Sequence, residues 1–411
     1  MVMTMTSRRA RALATASTLA AVTTLALAAP ASAADGTPVA PTLLPVAQTV
    51  TRAVDVSPAG VIVGIGVVND AGGTLAERWQ PGGPVYLRQR LTAPARLPYA
   101  TATGVTDRGE AGGNAFDAVS RTGAYRWRAS GRGATALVAE PSAVSAVGPG
   151  EWLVNQGDYF GSTSAIVARD GTVTPITGLP TGTGTGGMSL GGPQTALVAV
   201  RDGIGQGSIS TPYVWEAGAS QALPVNSSFW FGPACVSDLL PDGSVAYSGL
   251  WLRSGGPPPQ QIGVLRGGVG GTTVTLQLPP GATHASLGKC GEAGDTLSAD
   301  GYAVGHAYGA ATEAVVWSPD GTAVLPGLRE GESSSSAVAV ASGGRAVLLV
   351  TTTAGPVPYL WQDGTRTPLR VPAGWTVSGI VELTESGLVV GNLTSTDGQQ
   401  VRPVVWRTRA R

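Results

Sequence analysis

His284 and His306 are the only two histidines in this 411-residue chain, and so its natural candidates for proton transfer near neutral pH. His306, followed by Tyr308 and Glu313, is the better placed for general-base or lyase chemistry, whereas His284 reads as a loop histidine. A Ser/His/Asp site is defined by geometry, so separation along the chain cannot reveal one. Cys235 and Cys290 are an even count, which in an exported chain favours a disulfide. No His or Cys stands at ligand spacing, and the sequence implies neither a metal nor a cofactor. The run Thr181-Gly182-Thr183-Gly184-Thr185-Gly186-Gly187 resembles a phosphate-cradling loop but lacks the Lys-Ser/Thr ending and a following helix. It reads as a flexible connection. Recurrent Asp-Gly pairs lack the spaced ladder of a calcium loop and read as turns. Asn226-Ser227-Ser228 and Asn392-Leu393-Thr394 fit the N-glycosylation acceptor pattern.

Aromatic rings are the stronger candidates for recognition. Tyr159 and Phe160, the cluster Phe229, Trp230 and Phe231, then Tyr308 and Trp375 fall in or beside connections between β-rich runs, with few charges around them. Flat rings of this kind suit stacking on sugar rings or holding apolar peptide side chains. The competing reading is that single rings fold back as loop plugs or packing.

What must position these residues is a repeat of about 47 residues. A short apolar strand ends in Trp at Trp79, Trp127, Trp215, Trp317, Trp361 and Trp406, and two weaker copies place Ala168 and Leu265 in the same column. Upstream stand paired β-rich runs joined by a tight turn, as in Leu297-Ser298-Ala299-Asp300-Gly301-Tyr302-Ala303-Val304-Gly305. Downstream, after Asp170-Gly171 or Asp320-Gly321, comes a fourth run. Four strands per unit at this period make the blade of a β-propeller, and no stretch of the mature chain keeps a helical period. The expected fold is therefore an all-β β-propeller of eight blades, with seven as the alternative. The last unit stops after Trp406 without a fourth strand, and residues 35–44 supply a matching Asp-Gly-Thr start, so the N-terminal strand is expected to close the last blade.

The first 33 residues carry a different signal. Arg8, Arg9 and Arg11 precede an Ala-rich apolar run, and Ala31-Ser32-Ala33 is a small-residue cleavage pattern. The expected organisation is a signal peptide over residues 1–33 and a single propeller domain over 34–411, secreted and extracellular. With the leader removed no membrane attachment is expected. Twenty-six basic and 26 acidic side chains, the basic ones all Arg except Lys289 and none of them clustered, argue against nucleic acid.

The Ala-Val-Val-Trp strand at Ala314–Trp317 and the Pro-Tyr-Leu-Trp strand at Pro358–Trp361 follow Gly-x-x-x-Gly pairs such as Gly301 to Gly305. In this they resemble the HAF-type extracellular repeats of bacteria, most clearly over residues 292–406, although the His-Ala-Phe triplet is absent. The resemblance implies a secreted, propeller-like structure and brings no catalytic motif. Strand one-to-two and three-to-four turns are tight, whereas two-to-three and blade-to-blade connections are longer and carry the aromatic residues. A rigid scaffold with variable loops on one face is a binding architecture. The expected protein is a monomeric binding or scaffold module for extracellular glycan or a protein partner. The alternatives are a polysaccharide lyase or hydrolase using His306 and a structural envelope protein without a small ligand.

Overall fold

The computed structural model describes residues 36–68, 73–83, 85–118, 122–130, 133–157, 162–182, 184–202, 209–225, 227–228, 235–250, 260–288 and 295–408. Among them the strands form eight antiparallel sheets arranged as the blades of a β-propeller, with one 3-10 turn at Ser342–Gly344. Blade 1 covers residues 51–90, blade 2 99–136, blade 3 142–175, blade 4 184–222, blade 5 235–275, blade 6 284–324 and blade 7 332–368. Blade 8 takes three strands from residues 375–407 and its outermost strand from Pro41–Leu43. Pro41, Thr42 and Leu43 pair with Trp406, Val405 and Val404, and the Leu44 N–H donates to the Pro403 carbonyl at 3.0 Å. Leu91, Leu223 and Leu369 donate in the same way after the fourth strands of blades 1, 4 and 7.

Each blade buries both faces against its neighbours, so its strands are apolar on both sides rather than alternating. Val63, Ala76, Ala102 and Trp127 share one core between blades 1 and 2, and Val389, Val404, Val347 and Leu360 share another between blades 7 and 8. The six repeat tryptophans are all buried. In five of them the indole N–H reaches back to a carbonyl in the connection from the preceding blade. Trp79 donates to Pro45, Trp127 to Thr92, Trp215 to Thr177, Trp317 to Gln277 and Trp406 to Arg370, at 2.7–2.8 Å. Tryptophan recurs here because it fills an inter-blade gap and also supplies the donor that a buried carbonyl requires. Blade 7 departs from this. There Arg366, fully buried and paired with both oxygens of Glu332 at 2.8 and 2.9 Å, donates to the corresponding Pro326 carbonyl and to Gly327.

Strand register corrects one position of the repeat. The partner of the second-strand column in blade 3 is Ser164, which puts Val167, not Ala168, in the Trp column. Trp152 lies opposite it on the second strand, fully buried, under the Arg126 guanidinium at 5.4 Å.

Candidate functional site

The two ends of the ring are built differently. At the end that carries the one-to-two and three-to-four turns, arginines fasten blade to blade. Arg78, fully buried, donates to the carbonyls of Gly109 and Arg128 of blade 2 at 3.2 and 3.1 Å. Arg266 of blade 5 donates to Pro319 of blade 6 at 2.6 Å, and Arg345 of blade 7 to Glu385 of blade 8 at 2.8 Å. A guanidinium presents five donors in a fixed fork, which suits several turn carbonyls at once and accounts for part of the preference for Arg over Lys.

A second set of fasteners runs through one column of the second strands. Asn392 accepts from Ala53 N–H and donates to Ala53 C=O at 2.8 and 3.0 Å, joining blade 8 to blade 1. Asn114 makes the same two bonds to Val144, at 2.7 and 3.3 Å, joining blade 2 to blade 3. Ser248 accepts from Leu287 at 3.0 Å between blades 5 and 6. Asn392 is therefore committed inside the fold and is no glycan acceptor, while Asn226 lies outside the described residues.

His306 occupies this column in blade 6. Its Nδ1 lies 3.1 Å from Ser336 Oγ of blade 7 and its Nε2 2.7 Å from the Tyr308 hydroxyl. Both ring nitrogens are engaged, so a general-base role would first have to break one of these bonds. Glu313 does not join it. His306 pairs with Ala314 and Glu313 with Ala307, which puts the two side chains on opposite faces of the blade. Burial, and then the charge of His284, hold the His306 imidazole below its ordinary pKa. The exposed His284 ring stacks on Tyr308 at 4.2 Å and 16°, and Tyr308 meets His306 edge-on at 4.9 Å. Both histidines and one predicted recognition residue thus form a single cluster, at the end of blade 6 where the loops emerge. The pairing of His284 with Tyr308 follows from strand register across an insertion and leaves no mark in local sequence.

Trp375 opens the first strand of blade 8 at the same end of the ring. It is half-buried against the core of blades 7 and 8, with the Arg402 guanidinium 5.8 Å from its ring centre. Tyr159, Phe160, Phe229, Trp230, Phe231 and Cys290 lie outside the described residues. Cys235 lies in the first strand of blade 5. It is buried, with Sγ 3.1 Å from Ser286 Oγ of blade 6.

The Thr/Gly run gives a different outcome from the one expected. Gly184–Leu190 is the innermost strand of blade 4. It forms one wall of a cleft of about 540 Å³ between blades 3 and 4, on the loop end of the ring. Among the described residues no group of three or more His, Cys, Asp or Glu side chains is placed to hold a metal ion.

No family model matches the chain, and no curated protein matches it. Solved structures do. A prolyl endopeptidase is similar with a TM-score of 0.51 and 14% identity, over 85% of this chain and 53% of that one. The β-propeller domain of the Trilobed protease from Pyrococcus furiosus gives a TM-score of 0.47 and 10% identity, over 79% of this chain and 97% of that one. A streptogramin B lyase gives 0.42 and 12%, over 89% and 96%. The chain spans about half the length of the prolyl endopeptidase. At 14% identity the likeness to that endopeptidase is one of fold: the chain is a β-propeller.

Proposed function

We propose that the protein is an exported binding module whose loop end recognises extracellular glycan. The observation that carries this reading is the division of labour between the two ends. Arginines, carbonyls and turn hydroxyls at the turn end are spent on one another, whereas the loop end holds the open cleft of blades 3 and 4 and the exposed His284–Tyr308 ring stack. Export rests on the charged, apolar and small-residue pattern of residues 1–33. The rings of Tyr159, Phe160, Phe229, Trp230, Phe231, Tyr308 and Trp375 belong to the proposed recognition face on the strength of their places in or beside the connections between strands. We also propose that Cys235 and Cys290 form a cystine tying blade 5 to blade 6. The buried Cys235 thiol position beside Ser286, and the absence of a free cysteine among the described residues, support it.

The test is co-sedimentation of mature protein, from Ala34 onward, with insoluble polysaccharides and cell-wall sacculi, and an assay for sugar in the supernatant. Retention without sugar release is expected, reduced in Trp230→Ala at unchanged melting temperature. Release of soluble sugar that stops in His306→Ala would replace binding by catalysis. No retention on any glycan would end the reading.

A further inference from the structure

We infer that the cleft between blades 3 and 4 is the binding site for a short, hydroxyl-rich oligosaccharide segment. The inference rests on the glycan reading above and gives it a location. The cleft falls within the range of about 300–1,000 Å³ common for small-ligand sites.

Its emptiness is written in the sequence run that looked like a phosphate loop. An added Cβ at Gly187 would collide with Leu153 at 2.4 Å, so this glycine is needed for blade packing. At Gly186 an added Cβ meets nothing within 4 Å among the described residues, and the backbone φ is one that any residue adopts. Packing and backbone therefore do not require glycine at 186. The missing side chain leaves open space in a wall of the cleft.

The polar groups around that space are set for hydroxyl partners. Asn155 holds the fastening column in blade 3, yet it makes only half of the bond pair seen at Asn114 and Asn392. Its Oδ1 accepts from Gly187 N–H at 3.0 Å and from Ser164 Oγ at 2.8 Å, which fixes the orientation of the amide. Its amino group makes no hydrogen bond among the described residues, whereas the amino groups of Asn114 and Asn392 donate across to the next blade. Asn155 lines the cleft, so this oriented donor is left for a ligand acceptor. Ser162 and Thr185, each partnered with the other's backbone at 2.7–3.4 Å, and Ser210 line the same space with hydroxyls that both donate and accept. Pro141, Ala143 and Ala199 add apolar surface against which the C–H faces of a sugar ring can lie. Arg201 also lines the cleft and adds a guanidinium donor, so the wall offers amide, hydroxyl, guanidinium and small apolar groups to a ligand rich in hydroxyl oxygens.

Two variants separate site from scaffold. Gly186→Leu fills the cleft from an unstrained position. Asn155→Asp keeps both acceptor bonds of Oδ1 while replacing the amino donor by a charged acceptor oxygen. Titration calorimetry would use soluble hexasaccharides of β-glucan, xylan and chitin, with melting temperature as the check on folding. The expected result is that wild type binds at least one of them. Gly186→Leu should then lose on the order of 100-fold in affinity by steric exclusion, and Asn155→Asp about tenfold by loss of one hydrogen bond. Wild-type binding that survives Gly186→Leu unchanged would overturn this location and leave the glycan reading standing. Binding by neither soluble nor insoluble glycan would remove both. A peptide whose binding is blocked by Gly186→Leu, with no sugar bound, would assign the cleft to a protein ligand and overturn the inference.

Discussion

His306, the sequence's candidate general base, stands in the fold in a column of residues that fasten one blade to the next. The same column carries Asn114, Asn155, Ser248 and Asn392, each hydrogen-bonded to the first strand of the next blade, and His306 reaches Ser336 of blade 7 from the same place. An imidazole in this column differs from an amide in one respect, because it titrates. Its pKa is depressed in the fold by burial and by His284, so the unfolded chain binds the proton more readily than the folded one. Stability contributed by this residue is complete above the unfolded pKa of about 6.5 and is lost as pH falls through and below it. His306→Asn should therefore flatten the fall in melting temperature expected of the wild type between about pH 7 and pH 5. Parallel pH profiles for the two proteins would refute this account. The chain sequence names the two histidines, but their meeting at Tyr308 depends on blade register and is not written in either neighbourhood.

At the scale of the element, the repeat is a latch as well as a strand. Trp317 donates its indole N–H to the Gln277 carbonyl at 2.8 Å, while in blade 7 Arg366 has taken over the equivalent carbonyl of Pro326. The two tryptophans should respond differently to the same substitution. Trp317→Phe loses ring volume and leaves a buried carbonyl without its donor, at a cost of about 2–3 kcal/mol. Trp361→Phe loses ring volume alone and should cost about 1 kcal/mol less. Melting temperatures of the two variants check this, and an equal or larger loss at Trp361 would show that the latch adds nothing. Periodicity was enough to find the column, since six tryptophans before Gly-rich turns are a local signal. It missed Val167 by one position because blade 3 moves its tryptophan, Trp152, to the neighbouring strand.

At the scale of the whole molecule, eight blades must be joined into a ring. Pro41–Leu43 lies on the outer edge of Val401–Arg407, so chain segments more than 350 residues apart share a sheet. The proposed cystine would add a covalent tie between blades 5 and 6. A loop of the size closed by Cys235 and Cys290 is worth on the order of 4 kcal/mol in the chain-entropy account. Peptide mapping without reductant should recover one fragment joining Cys235 to Cys290, and reduction should lower the melting temperature by several degrees. Recovery of both peptides singly from oxidised protein would sink the proposal. The sequence by itself determined the strand pattern, the turn positions, the eight-fold repeat and the apolar columns, because strand, turn and burial each follow from residues within a few positions of one another. Only the tertiary structure decided what His306, Asn155 and the Thr/Gly run meet. Their partners stand on other strands or other blades, as Gly187 does for Asn155 and Ser336 for His306. Which residues meet across a blade interface is set by register and packing, and neither is carried by a residue and its neighbours in the chain.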